Sequence, residues 1–210
     1  MRFADVDAVT VDGFGTLVRL VDPVPALTQV LHERGYARGA AAVRDAFAAE
    51  VAYYRPRALT GRDATTLAAL RVDCARVFLE AADADLPAES FVDAFMSSIV
   101  LEPIPGALDV VTDLRRRGLE VAVVSNWVIG LEELLGRIGA ASLFAAVVTT
   151  AEAGAPKPEA AVFRLALERL AVRPERAVHV GDEPEDEEGS RAAGMRFAPA
   201  PLSTAFEDWS

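Results

Sequence analysis

The apolar positions of the chain follow two different periods, and the change between them divides it. Residues 6–12 form a short, β-branched, mostly apolar run ending on Asp12, suited to a buried parallel strand, and Gly13 and Gly15 then break it. From Pro23 to about Met96 the spacing turns helical: Leu27, Val30 and Leu31; Val43, Phe47 and Val51; Leu67, Leu70, Cys74 and Val77–Phe78; Phe91, Phe95 and Met96. Turn signals at Gly35, Pro56–Gly61 and Leu86–Pro87 separate these segments, which predicts three or four helices and no strand.

After Pro103–Gly106 strand and helix signals alternate. A helix over 108–117 closes on Gly118; strands are predicted over 120–126, 144–150, 177–182 and 195–198; helices fall over 130–138 and 159–170, and another starts at 189–193. This order predicts right-handed βαβ crossovers and an α/β fold, an open parallel sheet with helices on both faces. The expected organisation is a core of residues 1–19 and 98–210 with a helical segment, 20–97, set into it. Ligands of such sheets sit beyond the carboxyl ends of the strands, where Asp12, Ser125–Asn126 and Asp182 all fall.

Composition narrows the class. About half of the 210 residues are apolar and a quarter charged, as in an ordinary globular protein able to bury a core without disulfides or structural metal. Cys74 is the single cysteine, so no internal disulfide forms and the cytoplasm is the expected compartment; its place in a helical pattern marks it as a core residue. The first seven residues are too short and polar for a signal peptide, and no apolar run approaches the ~20 residues of a membrane span. A net charge of −11 argues against nucleic acid as a partner but leaves room for a phosphorylated small molecule at a local site. The twenty arginines stand against one lysine, Lys157, so the position that kept lysine calls for a specific explanation.

Four motifs then lie in order, each at the end of a predicted strand or just ahead of a helix: Asp12-Gly13-Phe14-Gly15-Thr16-Leu17; Ser125–Asn126 after Val121–Val124; Lys157–Pro158; and Val180-Gly181-Asp182, with Asp186, Gly189 and Ala193-Gly194-Met195 following. Together, over residues 6–198, they resemble the haloacid dehalogenase superfamily of hydrolases with a small helical cap, the cap corresponding to residues 20–97. The resemblance implies a Rossmann-like core, Asp12 as nucleophile, Ser125 as a hydroxyl donor to the phosphoryl group, Lys157 as an electrostatic partner, and Mg²⁺ held by Asp12, the backbone carbonyl of Phe14, Asp182 and Asp186, the last as a ligand or through a bound water. The residue chemistry agrees. A carboxylate attacks phosphorus to give an aspartyl-phosphate, glycines beside it let backbone N–H groups approach an anion, and Mg²⁺ takes few carboxylates plus waters and substrate oxygens. Gly13, Phe14 and Asn126 are the expected substrate contacts in the core; Arg55 and Arg62, clustered with Tyr53, Tyr54 and Arg57, are those expected in the cap.

One position departs from the pattern. Most phosphatases of the superfamily carry a second aspartate two residues after the nucleophile as general acid and base; here it is Phe14. Loss of a positioned acid usually lowers rate ~10²–10⁴-fold. Three readings follow: a Mg²⁺-dependent hydrolase of a small phosphorylated metabolite, which is preferred; a 2-haloacid dehalogenase, since halide needs no acid to leave; or a non-catalytic relative that binds a phosphorylated ligand. Retention of Gly181–Asp182 favours the first over the second, and the intact aspartate, serine and lysine favour it over the third. The phosphonate-cleaving branch needs a cap lysine, and this segment has none. His32 reads as a helix-surface residue, His179 as a packed histidine within a strand, Trp127 as a residue of packing or of the entrance, and Glu183, Glu185, Glu187 and Glu188 as a solvated acidic loop.

Overall fold

The computed structural model of the protein describes residues 2–209. Its elements in chain order are β1 (Ala8–Asp12), β2 (Val18–Leu20), α1 (Val24–Glu33), α2 (Ala40–Tyr54), α3 (Ala64–Ala81), α4 (Ala88–Ser98), β3 (Leu101–Pro103), α5 (Ala107–Arg116), β4 (Glu120–Ser125), α6 (Leu131–Arg137), β5 (Ala146–Thr149), α7 (Thr150–Ala153), α8 (Ala161–Leu170), β6 (Ala177–Gly181), α9 (Pro184–Ala192) and β7 (Arg196–Pro199). They fall into two compact units, residues 1–19 with 101–210 and residues 20–100.

The first unit is built on a parallel five-stranded sheet in the order β5-β4-β1-β6-β7. Its strands read as continuous apolar runs because both faces are covered. Ala8, Ala122, Val124 and Val148 of one face pack on Val162, Phe163, Ala166 and Leu167 of α8. The alternate residues, Val121 and Val123 among them, are fully buried as well, and α5 packs against β4. Asp12, Ser125 and Gly181 end three adjacent strands of this sheet on one edge.

The second unit is helical throughout α1–α4. Phe78 of α3 meets Phe91 and Phe95 of α4 with ring centroids 5.9 and 5.3 Å away, and all three rings are out of solvent. Cys74 is buried on α3 beside Glu50 of α2 and has no disulfide partner. No helix among the described residues is long and apolar enough to cross a membrane.

Three details differ from the sequence expectation. The β2–β3 ribbon, two strands of three residues each, is too short to leave a periodic signal. Thr150 starts α7 and does not extend the strand, because Thr149 and Glu152 close a reciprocal capping box there. The helix expected from Gly189 begins at Pro184, so the acidic run is the first turns of α9 and not a loop. Proline at the helix start, a Glu183–Asp186 capping box and carboxylates favoured by the positive helix end all act there.

Candidate active site

The edge formed by the carboxyl ends of β1, β4 and β6 carries the chemistry-bearing residues. Asp12 and Lys157 are each only 4% exposed, and Asp186 is fully buried. Lys157 Nζ donates to Asp12 Oδ1 and to Asp186 Oδ1, 2.5 Å in each case. Asp182 is exposed, and its Oδ1 accepts the Thr16 hydroxyl at 3.1 Å. Carboxylate oxygens of Asp12, Asp182 and Asp186 lie within 4.8 Å of one another. Three carboxylates against one ammonium leave two negative charges, which a divalent cation with oxygen ligands matches.

The local backbone is shaped to that cluster. Gly13 accepts from the N–H groups of Leu17 and Val18, and Gly15 donates to Val18, so the loop after Asp12 folds tightly on itself. Gly15 has φ +98°, and a Cβ there would stand 2.4 Å from Asp182 Oδ2. A Cβ on Gly13 would stand 2.8 Å from Ser125 Oγ, so the hydroxyl at the end of β4 closes directly on the loop that follows the aspartate. Phe14 turns its side chain outward, 45% exposed, and offers no group that could move a proton.

Electrostatics follow from burial and charge. Burial pushes Asp12 up to about 7 despite the attraction of Lys157. Lys157 is raised, since Asp12 and Asp186 together outweigh its own burial and keep it an ammonium. Asp186 is lowered: burial opposes this, but the hydrogen bond from His179 and the charge of Lys157 prevail. Burial pulls His179 down, against the hydrogen bond and charge of Asp186.

The structure thus brings Asp12, Gly13, Ser125, Lys157, Asp182 and Asp186 together. Asn126 adjoins them, but both polar atoms of its side chain have protein partners: Oδ1 accepts the Lys157 backbone N–H at 2.9 Å, and Nδ2 donates to Glu185 Oε1 at 2.7 Å. Arg55 and Arg62 belong to the helical unit. Both are exposed, and the Arg62 guanidinium folds onto its own turn through Leu59 O. Arg57 lies over the Tyr53 ring, 3.9 Å from its centroid. His32 is exposed and His179 is packed within the sheet, as their positions suggest. Trp127 is half-buried, its backbone bonded to Ser125 and Ala151. Two functional contacts have no separate sequence signal beyond their motifs: Thr16 against Asp182, and Glu185 against Asn126. The first is foreshadowed only by the threonine in the Asp12 loop, and the second is hidden within the acidic run.

A family model of haloacid dehalogenase-like hydrolases matches residues 6–194. Haloacid dehalogenase-like hydrolase domain-containing protein 3 of Mus musculus is 39% identical over 126 residues, 58% of this chain and 50% of that protein. Phosphoserine phosphatase of Thermus thermophilus is 39% identical over 129 residues, 58% of this chain and 51% of that protein. The chain spans about half the length of these curated relatives. In fold it is similar to 2-haloacid dehalogenase of Pseudomonas syringae, with TM-score 0.65, 22% identity and coverage of 96% and 97% of the two chains. It is also similar to a HAD phosphatase of Thermococcus onnurineus, with TM-score 0.58, 24% identity and coverage of 91% and 85%.

Proposed function

This chain belongs to the haloacid dehalogenase-like hydrolase family, and from that premise we propose that it hydrolyses a small phosphorylated metabolite through an aspartyl-phosphate on Asp12. The observation that carries the reading is the cluster itself: three carboxylates within 4.8 Å of one another around the single lysine of the chain. Relatives named phosphoserine phosphatase and glyceraldehyde 3-phosphate phosphatase support a phosphorylated substrate.

In this reading an oxygen of Asp12 attacks phosphorus while the bond to the leaving group breaks, and the leaving oxygen departs with the electron pair. Water then attacks the acyl-phosphate, freeing phosphate and restoring Asp12. Lys157 offsets charge on the nucleophile and the transferring group, and Ser125 donates its hydroxyl to a phosphoryl oxygen. Asp12, Asp182, the Phe14 carbonyl and Asp186, the last directly or through a bound water, would hold Mg²⁺, which when bound would supply the charge neutralisation that lets an anionic phosphate meet an anionic carboxylate. Asp186, already engaged by Lys157, serves as the anchor of that lysine. With Phe14 in the acid's place, the favoured substrates are esters or anhydrides whose leaving group needs little protonation. The helical unit acts as the cap, with Arg55 and Arg62 as anion contacts, and the buried thiol of Cys74 suits a cytoplasmic protein.

A phosphate-release screen over common metabolites, with and without Mg²⁺, tests this. Release that EDTA suppresses and Mg²⁺ restores is the expected result. Phe14 is the one observation favouring 2-haloacids as substrates, so a halide-release assay runs beside the screen. Halide release at full rate in chelator, with no phosphate release, overturns the phosphatase reading.

A further inference from the structure

Behind the charged cluster lies a line of polar groups that the reaction outlined above does not use. Thr10 of β1 and His179 of β6 are directly paired in the sheet register, and both are fully buried. The Thr10 hydroxyl meets His179 Nδ1 at 2.8 Å, and His179 Nε2 meets Asp186 Oδ1 at 3.1 Å. The edge of the ring is fixed against Phe163, 4.9 Å between centroids at 82°.

Asp186 as a carboxylate only accepts, so Nε2 carries a ring hydrogen toward it, and the Thr10 hydroxyl, which can donate or accept, holds the other side of the ring at Nδ1. Asp186 therefore holds three donors from three parts of the chain. Its Oδ1 takes His179 Nε2 and Lys157 Nζ, and its Oδ2 takes the Glu183 backbone N–H at 3.1 Å. The backbone closes in from behind: a Cβ on Gly181 would fall 2.4 Å from Asp186 Cγ. Around this line the flanking strand residues Val9, Val11, Val178 and Val180 are apolar and fully buried. An imidazole and a hydroxyl among them carry a burial cost that an apolar pair at the same positions would avoid.

We infer that Thr10 and His179 are positioning residues for the phosphoryl-transfer reaction: they lock the Asp186 carboxylate, which sets the ammonium of Lys157 against Asp12. This rests on the reading of Asp12 as nucleophile. A lysine side chain has a flexible four-carbon stem, and the line supplies the fixed point its head group needs. The effect is on the reacting geometry and not on substrate affinity, because the line runs through the interior of the sheet, where neither Thr10 nor His179 is exposed.

The test uses the full chain with 4-nitrophenyl phosphate and Mg²⁺, on His179→Leu, His179→Gln, Thr10→Val and the Thr10→Val/His179→Leu pair. His179→Leu is expected to lower kcat about 10–100-fold, the usual range for partners that orient a site group, with KM in place. His179→Gln, which again presents an N–H to Asp186, recovers much of that loss. Thr10→Val preserves shape and falls between, and the double variant is no worse than His179→Leu alone. Nitrogen-15 NMR of the wild-type ring is expected to show the Nε2–H tautomer. Wild-type kcat in His179→Leu, a Gln variant no better than Leu at equal melting temperature, or an Nδ1–H tautomer overturns the inference. If His179→Leu does not fold, a Thr10→Val variant with wild-type kcat does the same. An inactive wild type sinks the reading of Asp12 itself, a different result from an active wild type with indifferent variants.

Discussion

Asn126 and Lys157 are joined through the side-chain carbonyl of the first and the backbone N–H of the second, 2.9 Å apart. The other end of the same amide reaches Glu185. Asn126 thus ties the Lys157 backbone to Glu185 in the first turn of α9, and its removal is expected to loosen the segment that carries the lysine. Asn126→Ala is expected to reduce kcat and to lower stability by about 1–3 kcal/mol, the cost of leaving such partners unmet. Melting temperature and kinetics on an aryl phosphate check this. A raised KM at unchanged melting temperature would instead mark Asn126 as a substrate contact.

Asp12→Asn is expected to abolish turnover while leaving the fold in place, because an amide is not a nucleophile. Circular dichroism and phosphate release read the two halves of the statement. Activity at the wild-type level would remove the covalent route.

Phe14→Asp places a carboxyl where the acid of related phosphatases stands. The side chain is 45% exposed, so its replacement leaves no sealed cavity. The variant is expected to gain most on alkyl phosphates, up to about 10²-fold, and little on aryl or acyl phosphates, whose leaving groups need less protonation. The measurement is the ratio of kcat/KM for an alkyl and an aryl phosphate in both proteins. An unchanged ratio in a folded, Mg²⁺-binding variant would mean that Phe14 does not occupy the acid's place.

Glu50 gives a pH-dependent test in the helical unit. Burial raises its carboxyl above the ordinary value of 4.5, opposed by the hydrogen bond from the Cys74 thiol. The folded state therefore holds the proton more tightly than the unfolded chain. The stability this contributes is complete below the unfolded value and is lost as pH rises through the raised folded one. Glu50→Gln is expected to match wild type near pH 4 and to melt about 2–4 °C higher at pH 8, the shift that ~1 kcal/mol gives a chain of this length. A variant that melts lower at pH 8 would show that the ionised carboxylate is the stabilising form.

Much of this was legible in the residues. The run ending on Asp12 could be read as a buried parallel strand because it is mostly apolar and β-branched, and the helices of residues 20–100 because Leu67, Leu70 and Cys74, and again Phe91 and Phe95, recur at helical spacing. What stayed hidden depends on single hydrogen bonds. Thr150 carries equal promise as strand or helix until Glu152 is seen to cap Thr149. Asp186 reads as a metal ligand by position, and only three-dimensional contact adds the donors from His179, Lys157 and the Glu183 backbone that it also holds. Asn126 reads as a substrate group at a strand end, and nothing in the sequence announces its contact with Glu185, 59 residues further on.

The sheet order also bears on how the molecule comes together in time. β1 lies at the centre, yet its partners β4 and β6 come far later in the chain, with Thr10 paired to His179 across 169 residues. Closing such separations costs chain entropy before the pairing repays it, so folding nuclei are expected among the nearer contacts: the helices of residues 20–100, or β4 with β5 and α8. On a ribosome, the strand bearing Asp12 would keep one side open, without its β6 partner, until residues beyond Gly181 had emerged. Until then Asp12 stays a partly solvated carboxylate, and the burial that raises its hold on a proton is completed only as β6 closes beside it.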